Sequence, residues 1–168
     1  MGVCGCGKST LGCALAYRLG WRFVEGDTLH TATNIAKMAA GVPLDDEDRR
    51  PFLERVARAC AEEYQAGVVV SCSALKRSYR DFIRLRAPGV TFVLPLIDRD
   101  RLLARLGKRD NHFMPVSLLD SQLAVLELPD PDERAIIVDG SAAPAEQVAY
   151  TIAALQTLGS EEQPRCHD

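Results

Sequence analysis

The sequence has no long hydrophobic run. No stretch of about 18 apolar residues occurs anywhere in its 168 residues, which argues against a membrane-spanning helix. No charged-then-apolar leader precedes a cleavage site, so the residues shown carry no secretory signal and the expected location is cytoplasmic. The six cysteines (Cys4, Cys6, Cys13, Cys60, Cys72 and Cys166) are scattered without paired CxxC spacing, so neither a zinc site nor a disulfide framework is indicated. An overall basic excess is also missing. A net charge of -3 and a pI near 5.6 argue against a nucleic-acid or anionic-membrane partner. What remains is one intracellular globular domain of 18.4 kDa, long enough to bury a core.

What is present is concentrated at the start. Gly2-Val3-Cys4-Gly5-Cys6-Gly7-Lys8-Ser9, followed by Thr10, fits the phosphate-binding pattern G-x-x-x-x-G-K-[ST]. Glycines let the backbone turn its amides inward around a phosphate, in conformations that a Cβ disfavours. Lys8 supplies a point charge to the β- and γ-phosphates, and the Ser9 hydroxyl is the candidate Mg²⁺ ligand. Leu11, Ala14, Leu15 and Leu19 repeat at helical spacing, so a helix over 8–19 points its N-terminus at the nucleotide. These residues predict ATP and Mg²⁺ as cofactors. A phosphate loop normally follows a buried strand, yet only Met1 precedes Gly2. The first strand of the sheet is therefore expected to be absent from this chain. A chain that starts at Met1 is expected to be poorly soluble or inactive, and to be rescued by a short apolar strand added upstream.

Further along, helix-like and strand-like segments alternate, which predicts a parallel sheet covered by helices on both faces. Strands are expected at 21–25, 68–72 (β-branched and apolar throughout, hence buried on both faces), 90–97 and 135–138. Helices are expected at 31–40, from Asp48 as cap with Pro51 in the first turn, at 76–85, 99–106, 115–126 and 145–158. Phe52, Val56, Cys60 and Tyr64, four apart, mark the buried face of the third helix. The kinase domain is placed at 1–158. The polar segment 107–115 is a candidate lid, and 159–168 is read as a disordered tail.

Phosphoryl transfer needs in-line positioning, charge neutralisation and a group that orients the acceptor hydroxyl. Asp27, in the loop after the second strand position, is the candidate for that last task; its alternative is a capping or turn aspartate. Between positions 76 and 109 lie ten of the twenty Lys and Arg against three acidic residues, a cationic excess that suits phosphates and an anionic acceptor.

Five motifs carry a resemblance to a known family. They are Gly26-Asp27-x-Leu29-His30-x-x-x-Asn34-Ile35-x-Lys37-Met38, Gly41-x-Pro43-Leu44-x-Asp46-x-Asp48-Arg49-x-Pro51, Cys72-Ser73-Ala74-Leu75-Lys76-x-x-Tyr79-Arg80-Asp81, His112-Phe113-Met114 and Gln122-x-x-x-Leu126-Glu127. Together with the phosphate loop, they make the chain resemble the gluconokinases from Gly2 to about Leu158. The resemblance implies an α/β P-loop fold of the nucleoside-monophosphate-kinase type, shared with shikimate and adenylate kinases. It implies ATP-dependent phosphorylation of D-gluconate to 6-phosphogluconate, and a homodimer as the assembly to test. A guanidinium fork suits the gluconate carboxylate, which makes Arg49 and Arg80 clamp candidates, with Lys76 beside them; which of the three binds the carboxylate is open. His30 and His112 are candidates for donating to substrate hydroxyls. The wider kinase fold implies that Arg105 lies near adenine and that Arg109 reaches the transferred phosphate.

The chain departs from the family pattern at Cys4 and Cys6, where serines are usual, and at Glu25, where an aspartate is common. Thiols beside Lys8 and a helix N-terminus predict sensitivity to thiol reagents. Two rival functions stay open: a kinase of another small acceptor such as shikimate, and a noncatalytic nucleotide-binding protein.

Overall fold

The computed structural model describes residues 1–63, 65–107 and 117–161. Four short strands form two parallel pairs. In one, β1 (Arg22–Val24) pairs with β2 (Val68–Val70), with Phe23 opposite Val69. In the other, β3 (Phe92–Leu96) pairs with β4 (Ala135–Asp139), with Leu94 opposite Ile137. Each strand is followed by helical structure, as parallel crossovers require. The helices are α1 (Lys8–Leu19), α2 (Ala32–Ala39), α3 (Asp46–Glu62), α4 (Arg77–Arg86), α5 (Arg99–Leu106), α6 (Ser117–Ala124) and α7 (Pro144–Glu161).

Helices cover both faces. On one, Phe52, Leu53 and Val56 of α3 and Tyr79 and Ile83 of α4 pack on Phe92 and Leu94. On the other, Leu11 and Leu15 of α1 and Val148 of α7 pack on Ile136 and Val138. The β3 side chains alternate between these layers, because successive residues of a strand point to opposite faces. The N-terminal segment joins the two strand pairs. Met1 packs with Cys72, just beyond β2, and its amino group donates to the Val93 carbonyl at 2.6 Å.

Most expected elements are found within one or two residues of the sequence reading, and the exceptions have local causes. The cap of α3 is Asp45, not Asp48. Asp45 accepts from the Asp48 amide while the Asp48 carboxylate accepts from the Asp45 amide, a reciprocal capping box that starts the helix earlier. The β2 strand is only half-buried and stops at Val70, where the chain turns off into the cleft described below. A 3₁₀ turn at Gly26–Leu29 was not anticipated. The last helix runs on to Glu161, so 159–161 are helical rather than part of a tail. Tyr64, the rest of that tail and all but the first residue of the expected lid lie outside the described residues.

Arg80 overturns one expectation. Its side chain is 0% exposed and its guanidinium forks onto Glu133 at 2.6 and 2.7 Å, with two further bonds to the carbonyls of Leu75 and Glu127. Each guanidinium nitrogen is bonded inside the core and the side chain has no exposed surface, so the structure does not bring Arg80 to the cleft. The bond from Arg80 holds the Glu133 carboxyl below the usual glutamate range. Because that group ionises more easily folded than unfolded, its stabilisation is present above the ordinary glutamate pKa and is lost as pH falls through the folded value. Arg80→Leu leaves the buried carboxylate only Arg84 at 3.4 Å and the Asp130 amide at 3.0 Å, and is expected to cost about 3 kcal/mol. Urea unfolding at pH 7 checks this, and a loss below about 1 kcal/mol would show that Arg84 and the Asp130 amide suffice to hold Glu133.

Candidate active site

The phosphate loop is built. Gly2, Gly5 and Gly7 all have positive φ, at 134°, 77° and 97°. Gly7 is the N-cap of α1, left-handed and without a side-chain capping bond, so the first amides of the helix are presented to the cleft rather than satisfied locally. Lys8 reaches back across the loop and donates to the Val3 carbonyl at 2.8 Å. The Ser9 and Lys8 side chains line an open cleft of about 830 Å³, solvent mouth included. Cys4 and Cys6 are 5% and 1% exposed and pack among Leu75, Leu102, Leu106 and Leu119. They serve as small core residues, and the expected thiol sensitivity at the loop does not fit this burial. Arg105 stands beside Gly7 and donates to the Gly140 carbonyl at 2.8 Å.

The opposite wall comes from the exits of β1 and β2. These approach so closely that a Cβ on Gly26 would sit 1.8 Å from the Ser71 carbonyl oxygen, a space that only glycine fits. Ser71 fastens the two exits, accepting from the Gly26 amide at 2.8 Å and donating to the Glu25 carboxylate. Asp27 follows in the 3₁₀ turn. It is exposed in the cleft, its carboxylate makes no hydrogen bond or ion pair to the described residues while its backbone carbonyl accepts from the His30 amide, and it is not the cap of its turn, which is Glu25.

His30 and Arg49 form the floor. The His30 ring stacks on Phe52 at 4.0 Å between centroids, and its Nδ1 is buried without a partner among the described residues. Burial, then the Arg49 and Arg55 charges, push its pKa down to about 4, so the ring is neutral at physiological pH. Arg49 is 8% exposed, donates to Ser73 Oγ at 3.3 Å and sits 5.9 Å from the centroid of the Tyr79 ring. Among the described residues no carboxylate lies within ion-pair distance of it. Burial lowers its pKa, which marks a cation whose desolvation is incompletely compensated.

Of the three cations left open by the sequence, the structure therefore brings only Arg49 into the cleft. Lys76 is held away by Asp46 at 2.7 Å and lines a neighbouring cavity with Tyr79. Arg109 and His112 lie outside the described residues. Sequence reasoning gave no role to Ser73, to Gln122, or to Arg55, whose guanidinium holds the Leu29 and His30 carbonyls at 3.1 and 3.3 Å. Arg55 carries no local signal, being one polar residue on a helix face. Gln122 was visible only as part of a motif.

The chain is similar to known proteins over most of its length. The family model described as shikimate kinase matches residues 4–155. A gluconokinase of Gluconobacter oxydans is 48% identical over 146 residues, covering 86% of this chain and 82% of that protein. The thermosensitive gluconokinase of Escherichia coli is 46% identical over 140 residues, covering 82% and 74%. The chain belongs to the gluconokinase family. A crystal structure of a gluconokinase from Sinorhizobium meliloti superposes with a TM-score of 0.88 at 45% identity, covering 99% of this chain and 95% of that one. Shikimate kinase from Aquifex aeolicus, at 20% identity and a TM-score of 0.59, shares the α/β P-loop kinase fold alone.

The buried His30 predicts an acid limb of stability. Its folded pKa of about 4 lies below the ordinary value of 6.5, so the unfolded chain binds the proton first. Its contribution is complete above pH 6.5 and is lost as pH falls toward 4, on the order of 3 kcal/mol in all. His30→Gln should flatten the difference in unfolding free energy between pH 7 and pH 4.5 by a large part of this amount. Parallel pH profiles for the two proteins would place His30 in a solvated setting instead.

Proposed function

We propose that the protein transfers a phosphoryl group from ATP to a hydroxyl of D-gluconate, giving 6-phosphogluconate. The observation that carries an anionic acceptor is Arg49, a buried guanidinium opening on the cleft with no carboxylate partner among the described residues. A small polyol acid supplies that missing anion as a bidentate partner. Its relatives' activity as gluconokinases points the same way.

The roles follow from position. The amides at the start of α1 and the Lys8 ammonium hold the nucleotide phosphates at the positive end of the helix dipole. The loop suits them, since Gly2, Gly5 and Gly7 hold the positive φ with which a backbone turns its amides inward around a phosphate. Ser9, the second residue of α1, is the protein ligand for Mg²⁺, which when bound neutralises charge on the phosphates. Asp27 orients the acceptor hydroxyl and accepts its proton. Arg49 holds the carboxylate at the far end, and the neutral His30 ring lines the acceptor side of the cleft. Arg105 flanks the nucleotide. Arg109 and His112, which lie outside the described residues, complete this proposal from the sequence alone.

Shikimate is a carboxylated polyol as well, and it would satisfy Arg49 equally. A coupled assay with ATP and a panel of gluconate, shikimate and neutral polyols decides between them, and gluconate is expected to give the highest kcat/KM. Asp27→Asn is expected to lower kcat by about 10²–10⁴-fold with little change in KM for ATP. Equal losses in both would move Asp27 to the metal or to the fold. In Arg49→Lys the KM for gluconate should rise while that for ATP stays put, since an ammonium cannot form the paired bonds of a guanidinium.

A further inference from the structure

We propose that Gln122 is a positioning residue for Lys8, acting through the peptide unit that joins Val3 to Cys4. The carbonyl of Val3 and the N–H of Cys4 belong to one rigid plane, so fixing either end orients the other. On one side, the carbonyl accepts from Lys8 Nζ at 2.8 Å and from the Cys6 amide at 3.4 Å. On the other, the Cys4 N–H donates to Gln122 Oε1 at 2.7 Å, a bond between buried groups 118 positions apart. The glutamine thus grips the same peptide whose oxygen receives the lysine.

The grip is needed because the loop offers little steric resistance of its own. Gly2 and Gly5 flank the unit with φ of 134° and 77°, in backbone regions where a glycine rotates freely. The grip is also firm, because α6 is anchored close to Gln122. Leu119, 0% exposed, packs with Val3, Cys4 and Cys6, and Leu118 packs on Met38 and Leu44 across the cleft. Rotation of the peptide would withdraw the Val3 carbonyl from Lys8 and leave the ammonium free to settle away from its phosphate-binding pose. Misplacement of a catalytic group by about 1 Å can lower turnover by about 10²-fold.

This inference rests on the phosphate-loop reading of Lys8, and two measurements on the full chain keep the two apart. Amide exchange at Cys4, followed by NMR, reads the hydrogen bond directly, with no catalysis involved. Steady-state kinetics of Gln122→Leu and Gln122→Glu read its consequence. Gln122→Leu is expected to speed Cys4 exchange at least about tenfold and to lower kcat by about 10–100-fold, with KM for gluconate within about twofold of wild type. Gln122→Glu keeps an acceptor oxygen, so it should restore both the protection and most of the turnover, its added charge appearing in KM for ATP. Should the leucine variant not fold, Gln122→Asn, one methylene too short to reach, takes its place. Unchanged Cys4 exchange or unchanged kcat in the leucine (or asparagine) variant overturns the proposal. So does a glutamate variant whose kcat is as low. Full activity in Lys8→Ala would instead remove the phosphate-loop reading itself, and with it any consequence for Lys8.

Discussion

The fold turns on six consecutive buried residues, Met1 to Cys6. They form the seam between the two strand pairs, with Met1 against β3 and Val3, Cys4 and Cys6 against α5 and α6. The same residues carry the glycines that shape the phosphate loop. A phosphate cradle needs backbone amides free of one another, which is costly in a protein interior unless the surrounding side chains are apolar and closely packed. Here the packing is supplied by leucines from α5 and α6 and by the small thiols of Cys4 and Cys6. Cysteines at these points suit that environment, because a thiol behaves as a small hydrophobe and demands no strong hydrogen bond.

From that seam the two walls of the cleft follow. The loop fixes the start of α1 and lines one wall with its glycines and Lys8. The close approach of the β1 and β2 exits, possible only with Gly26 beside Ser71, fixes where Asp27 emerges. The acceptor side is then closed by α3, whose capping box sets the helix start and so places Arg49 one turn in, over the Tyr79 ring. Local chemistry at one residue in each wall decides the geometry of the whole.

Electrostatics sort the cations. Lys76 and Arg80 both follow the end of β2, within four positions of each other in one motif, yet their fates differ. Arg80 is bound by Glu133 in the core, and Lys76 is paired with Asp46 at the surface. Arg49 escapes such pairing because the acidic residues at the start of α3 are used elsewhere: Asp45 and Asp48 cap one another, Asp48 binds Lys37, and Asp46 takes Lys76 and Tyr79. A buried cation facing a cleft is then the feature most easily compensated by a substrate carboxylate.

The sequence by itself determined the phosphate loop, the alternation of strands and helices and the family, because each is written in local order: a fixed glycine spacing, a hydrophobic period, a contiguous motif. It also marked Asp27, His30 and Arg49 as candidates, since each falls within such a motif. Only the tertiary structure decided which cation faces the cleft, because the partners of Arg80 and Arg49 come from residues 53 and 24 positions away, a separation that no local pattern encodes. The early start of α3 escaped notice because Asp45, Asp46 and Asp48 are all competent caps, and only the reciprocal hydrogen bonds select one. The stacking of His30 on Phe52 and the hold of Gln122 on Cys4 belong to the same class. They depend on elements distant in the chain meeting at one point, and it is the packing of α3 and α6 around the buried loop that brings them there.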